Sequence, residues 1–416
     1  MTDHRDTPRC LACLGSRLHL VPAYSRLPRI TSDCRPFPAG GELAQCQDCG
    51  AVQKLPSAIW RAEIAQIYSR YSAYYQGDGN EQISFDRTTG TPRRRSDILA
   101  DRLSERFALA QSGALLDVGC GSGVTLRAFS AKRPAWQLDG YELDDHNLDT
   151  LRTVPGFGRL HTGPIEQVRS RYELVTMIHS LEHFIDPAAV LRDLSMRLAQ
   201  GGLLFIEVCN VEENPFDILV ADHMMHFSPT TLGMLLEGAG LSPVAIETDW
   251  VGREISAVAK SSDEATLEQD VAEPFAPRGW ARLGATLVWL ERFTEAAREA
   301  ARANRHFGIF GTSISGTWLA SQLGERVEFF VDEDPSRIGK THLGRPILAP
   351  ADVPDDAVAY LALNPAAARA AHARLIGHSA TWLLPPAEPF ADPAGGRGTS
   401  FARSGAGEST LANYRP

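Results

Sequence analysis

The stretch GALLDVGCGSGVTLRAFSA, residues 113–131, decides the fold. Its apolar start, ending in Asp117-Val118, reads as a buried strand. It then enters a turn holding Gly119, Gly121 and Gly123, followed by an amphipathic helix from about Val124. Glycines there let the backbone approach a ligand closely at the carboxyl end of a parallel strand. A second strand, WQLDGYEL (136–143), carries Glu142 at its end, where an acid can accept both hydroxyls of a ribose. A dinucleotide site prefers G-x-G-x-x-G, and here the third glycine comes one residue early.

Working outward, RLHTGPIEQV (159–168) supplies a third strand and a turn around Pro164. YELVTMIHSLEHFIDP (172–187) supplies a fourth strand, and GGLLFIEV (201–208) a fifth. Strands alternating with helical segments predict an α/β fold with a doubly wound, mostly parallel sheet over residues 111–260. Residues just past the fourth and fifth strands, including His179, Glu182 and His183, then stand at the ligand-binding edge. No Asn/Asp-Pro-Pro-Tyr type motif follows the fourth strand, which argues against a nucleic-acid base or protein amide as target.

The formal charge of -10 on 416 residues argues against a protein that grips phosphate backbones and favours small-molecule chemistry. Neither the polar opening MTDHRDTPRC nor any later run has the apolar core of a secretory signal or membrane span, so a cytoplasmic protein is expected. In a reducing compartment, seven cysteines are thiols or metal ligands. Four of them form two pairs, Cys10/Cys13 and Cys46/Cys49, each with a two-residue gap and a glycine (Gly15, Gly50) just beyond. Two such knuckles predict a four-thiolate Zn2+ site with no open position, hence structural, in a small domain over residues 1–58. Cys34 is read as a packing residue, and His19 is the alternative fourth ligand.

After the fifth strand comes ADHMMHFS, 221–228, an acid and two imidazoles ahead of a helix with Ser228 as N-cap, Pro229 as first residue and Gly240 as stop. Such a loop can face a bound cofactor. Histidine is the side chain best placed to move protons near neutrality, with Asp222 beside His223 to orient it. The alternative is a polar loop whose histidines do no chemistry.

DVGCGSG and the acid after the second strand resemble the first two motifs of class I S-adenosylmethionine-dependent methyltransferases. That resemblance implies Asp117 at the methionine end, Gly119, Gly121 and Gly123 in the turn, Glu142 on the ribose and Pro164 beside the adenine. Together with the cysteine knuckles, HSLEHFIDP and the ADHMMHFS loop, the chain over roughly 8–385 resembles the sugar C-methyltransferases, which act on nucleotide-linked keto-deoxysugars. Asp222 stands where that family usually has Glu, and His226 where it usually has Tyr. The resemblance implies that His223, backed by Asp222, removes the proton alpha to a ketone, with His179 or Tyr75 holding the oxyanion. It also implies that YSRYSAYYQGDG (68–79), within a helical connector over 59–110, closes on the sugar through Tyr74 or Tyr75.

Residues 261–304 read as a connecting helix. Residues 305–386 repeat the strand, glycine turn, helix, strand pattern of a Rossmann-like domain, and 387–416 read as a flexible tail. The turn Gly311–Gly316 lacks the dinucleotide spacing, and either a nucleotide-sugar site or a buttress fits it. Two rival functions stay open. One is O- or N-methylation of another small metabolite; the other is a modification factor that docks RNA or protein through its cysteine module, which the acidic charge disfavours.

Overall fold

The computed structural model describes residues 8–71, 81, 83–85, 91–262 and 276–388. Its centre is a seven-stranded sheet: β1 (Gly113–Val118), β2 (Trp136–Tyr141), β3 (Phe157–His161), β4 (Tyr172–Ile178), β5 (Leu198–Cys209), β6 (Leu241–Glu247) and β7 (Glu254–Ser261), in spatial order β3-β2-β1-β4-β5-β7-β6. All pairs from β3 to β5 are parallel, while β7 runs antiparallel to both β5 and β6. The sheet is thus doubly wound and mostly parallel, as the alternating pattern predicts. Leu115, Leu116, Val118, Leu174, Val175, Leu204 and Ile206 are fully buried because helices cover both faces. Strand order reverses between β1 and β4, which opens a crevice at their carboxyl ends.

Local chemistry sets the helices. Asp186 caps Pro187–Ser195, and a reciprocal Ser228/Thr231 capping box starts Pro229–Gly238, so Ser228 and Pro229 stand as the sequence predicts. Among the described residues of the connecting segment, the helix is Ala276–Ala303.

ADHMMHFS is not simply a loop. Met225–His226 pairs antiparallel with Val52–Lys54, completing a four-stranded sheet whose other members are Leu18–Leu20 and Leu43–Cys46 of the cysteine module. A short hairpin, Arg29–Ile30 with Pro36–Phe37, lies between the core and the C-terminal part. Ala221 N–H donates to Ile30 O at 2.8 Å, and Trp318 Nε1 donates to Pro28 O at 2.8 Å. The hairpin's buried Arg29 is held by Glu63 through two bonds of 2.8 and 2.6 Å.

The C-terminal sheet contains six strands, ordered Thr341–His342, Arg345–Leu348, Phe329–Val331, Phe307–Phe310, Val358–Leu361 and Thr381–Leu383. All of its pairs are parallel except the first. Its turn is closed by the protein itself: a Cβ on Gly316 would meet Gly311 O at 1.9 Å, and Asp332 accepts from Thr312 Oγ1 at 2.5 Å. Among the described residues no helix is long and apolar enough to cross a membrane.

Gly119 is required twice over: its φ is +80°, and an added Cβ would lie 2.6 Å from Ser180 Cβ. Gly163 has φ +91° but open space around the missing Cβ. Gly119→Ala should therefore cost about 3 kcal/mol, combining backbone strain and overpacking, and Gly163→Ala only about 1 kcal/mol from strain alone. Urea unfolding of the two variants checks the difference; equal losses would refute the packing account.

Candidate active site

The glycine turn sits at the carboxyl end of β1. Gly119, Gly121 and Gly123 all have left-handed φ (+80°, +50° and +81°), which an L side chain rarely adopts. Gly121 N–H donates to Glu142 Oε1 at 2.8 Å, so the acid beyond β2 faces the turn. Leu143 N–H donates to the other carboxylate oxygen at 3.1 Å. Asp117, 2% exposed, accepts from Thr176 Oγ1 at 2.7 Å; burial outweighs that bond and pushes its carboxyl up to about 7. Tyr141 OH donates to Gly163 O at 2.5 Å, fixing the turn in which Pro164 lies exposed. These residues fit S-adenosylmethionine: open backbone at the turn, and a part-exposed carboxylate at the second strand with acceptor capacity to spare.

Next to this crevice lies a buried polar cluster. His223 Nδ1 is 2.9 Å from Asp217 Oδ1, and His226 Nδ1 is 2.7 Å from Asp217 Oδ2, so one carboxylate grips both rings. The carboxylate behind His223 is therefore Asp217, not Asp222. Asp222 points the other way and accepts from Ser32 N–H at 2.8 Å and Ser32 Oγ at 2.5 Å. Burial works to lower the His223 pKa, but the Asp217 hydrogen bond and charge outweigh it and raise it above the ordinary imidazole value. With Nδ1–H committed to Asp217, Nε2 carries the lone pair; among the described residues nothing hydrogen bonds it. Burial would raise Asp217, yet the two imidazoles hold it well below the usual carboxylate range.

His223 packs edge-on against His183 at 4.9 Å between ring centroids, and Tyr68 OH lies 3.0 Å from His183 Nδ1. His179, in left-handed backbone (φ +50°) just after β4, puts Nδ1 3.2 Å from Glu182 and Nε2 2.6 Å from Glu254. The Glu254 contact is close but not aligned as a hydrogen bond, so charge holds it. Burial opposes protonation of His179, but Glu254 outweighs it and keeps the ring an imidazolium. His179 thus has both nitrogens facing carboxylates, which limits it to a charge, rather than a ready donor, toward a substrate oxygen.

Three groups of side chains bring metal-ligating atoms within 4.8 Å of one another among the described residues. In the first, Cys10 and Cys49 sulfurs are 3.5 Å apart and Cys13 and Cys46 sulfurs 3.6 Å apart. Sulfurs about 2.3 Å from one tetrahedral zinc ion stand about 3.8 Å from each other, so this cluster fits. The Cys49–Cys10 contact favours the Cys10 thiolate and pushes the Cys49 thiol up, so the proton is shared within the pair. His19 is exposed and outside the group, and Cys34 also stands apart from it. In His179/Cys209/Glu254, the 2.6 Å contact is shorter than the roughly 3.3 Å that two ligands of one tetrahedral ion keep, and an ion pair accounts for it. In Asp217/His223/His226, each carboxylate oxygen already holds a ring nitrogen.

Tyr74 and Tyr75 lie outside the described residues. Asp217 and Lys54 escape sequence reasoning. The sole signal for Asp217 is an isolated acid in a short apolar run before ADHMMHFS.

Residues 92–246 match the family described as "Methyltransferase domain", so this part of the chain is a methyltransferase domain. The ubiquinone biosynthesis O-methyltransferase of Neisseria meningitidis serogroup A is 27% identical over 128 residues, covering 28% of this chain and 52% of the relative. The ubiquinone biosynthesis O-methyltransferase of Aeromonas salmonicida is 27% identical over 156 residues, covering 30% and 62%. The chain thus spans little more than half the length of these curated relatives. A solved S-adenosylmethionine-dependent methyltransferase from Clostridium acetobutylicum aligns with TM-score 0.36 and 14% identity over 49% of this chain and 99% of its own.

The cysteine cluster predicts about one zinc per chain by elemental analysis of the purified protein. Cys46→Ser should lose the metal and lower Tm by several degrees. Metal-free wild-type protein with unchanged Tm would refute the assignment.

Proposed function

We propose that the protein is an S-adenosylmethionine-dependent methyltransferase in which His223 takes a proton from the acceptor, and that the acceptor is a carbon of a nucleotide-linked keto-deoxysugar. The observation that carries this reading is the buried Asp217–His223 pair, which fixes one tautomer and leaves Nε2 as a base. Bound at the glycine turn, S-adenosylmethionine supplies an electrophilic methyl group. Gly119, Gly121 and Gly123 admit it, Asp117 serves its methionine end, Glu142 its ribose and Pro164 its adenine.

Each remaining residue then has a task. Asp217 orients His223 and steadies the imidazolium formed when Nε2 accepts the proton alpha to the ketone. The positive ring of His179 favours the negative charge that develops on the ketone oxygen, and Tyr74 or Tyr75 is the proposed direct contact to the sugar. Asp222, anchored on Ser32, fixes the loop. Zinc on Cys10, Cys13, Cys46 and Cys49 holds the module whose strand pairs with that loop.

Support for a carbon acceptor comes from the joint presence of the cysteine module and the imidazole loop. A second reading, transfer to a hydroxyl oxygen, is favoured by the names of the ubiquinone biosynthesis relatives. The same base would serve either.

Incubating the enzyme with keto-deoxysugar nucleotides in heavy water, without methyl donor, should wash deuterium into the alpha carbon. A sugar that is methylated but never exchanges would overturn carbon transfer in favour of oxygen. With the substrate identified, His223→Gln and Asp217→Asn should each lower kcat by about 10²- to 10⁴-fold. The rate should rise with pH through the pKa of His223, above 6.5, because only the neutral ring is a base. A flat profile from pH 5 to 9 would count against His223.

A further inference from the structure

Lys54 is fully buried at the end of a strand of the cysteine module. Its Nζ lies 2.9 Å from Ile218 O, 2.9 Å from His226 Nε2 and 4.4 Å from the centre of the Tyr24 ring. With Lys54 as an ammonium, the form that Asp217, Asp222 and Glu63 favour against its burial, Nζ donates and His226 Nε2 accepts; the His226 proton then sits on Nδ1, which donates to Asp217 Oδ2 at 2.7 Å. The other oxygen of the same carboxylate holds His223. A continuous chain therefore runs Lys54, His226, Asp217, His223, from the metal module to the candidate base.

We infer that Lys54 is a positioning residue: by donating to His226 Nε2 it keeps His226 neutral, so that Asp217 stays a full anion toward His223 and the module sets the proton affinity of the base. The role of His223 rests on the function proposed above; the state of His226 does not. Burial and the neighbouring Lys54 charge bring His226 down to about 4, and burial holds Lys54 itself well below its ordinary value.

The groups that face this chain are few. Glu182 and His183 approach His223 from the segment after β4, Asp222 on its own loop acts on both His223 and Lys54, and Cys209 at the end of β5 and Tyr24 face Asp217. Tyr68, from helix Ala58–Tyr68, reaches it through His183, and the Arg29–Glu63 pair acts on Lys54 from the hairpin and that helix. Without Lys54, His226 gains a proton beside Asp217 and becomes a cation 6.1 Å from the His223 ring, between ring centroids. Asp217 then gives its charge mainly to His226, and His223 becomes easier to deprotonate.

The test is nitrogen-15 NMR of the histidine rings in the full-length protein at pH 7, together with Lys54→Met and Lys54→Arg. Wild type should show His226 neutral and protonated on Nδ1. Lys54→Met should show it charged, with the acid limb of kcat/KM moved down by about one pH unit, a tenfold difference on the limb. Lys54→Arg, which keeps a donor, should restore both. A wild-type His226 that is protonated on Nε2 or charged overturns the inference, whether or not Lys54→Met folds. So does a folded Lys54→Met protein whose His226 stays neutral. The ring signals report on Lys54 even if no keto sugar is turned over, so failure of the function and failure of this inference are told apart.

Discussion

One buried anion organises the site. Asp217 is 2% exposed, and a carboxylate taken out of water stays charged only when its oxygens are met by strong donors. Two imidazole Nδ1–H groups meet them, at 2.9 and 2.7 Å. That requirement ties the turn Asp217–Leu219 to His223 and His226, and Lys54 ties them to the first sixty residues of the chain. Removing one partner would leave charge buried without compensation, a far larger effect than loss of a surface ion pair.

Modules that look separable in sequence are therefore one body around the crevice. The cysteine module lends its sheet edge to Met225–His226, and the Arg29–Phe37 hairpin holds Asp222 through Ser32 while resting on Trp318 of the C-terminal domain. Asn364, which caps the helix Pro365–Leu375, donates to Glu213 O in the loop after β5. Each contact uses a backbone partner on at least one side, so the geometry depends on chain path more than on side-chain identity.

The parts legible in sequence are those written in local pattern. The glycine turn, the apolar runs of β1 to β5, the Ser228-Pro229 helix start and the two cysteine knuckles each need only a few neighbouring residues to be read. The pairing of His223 with Asp217 was not legible, and the reason is geometric. Asp222 is the nearer acid along the chain, but it lies in a turn that brings its carboxylate to Ser32, a residue 190 positions earlier, and so away from His223. Met225–His226 is only two residues of strand, too short for an alternating signal, and its partner lies more than 170 positions earlier. Lys54 at the end of Val-Gln-Lys has the look of a solvated strand end, and it is buried by the distant His226 and Ile218 together with the Tyr24 ring. The left-handed backbone of His179 has no sequence mark at all.

The same pairing has a consequence for biosynthesis. Cysteine ligands 10 to 49 leave the ribosome early, yet the fourth strand of their sheet is not made until residue 226, most of a domain later. Until then Val52 to Lys54 present an unpaired edge and a lysine without its acceptors, a combination that invites association with other nascent chains. A metal ion on the four cysteines, as proposed above, would hold the early segment compact through that interval.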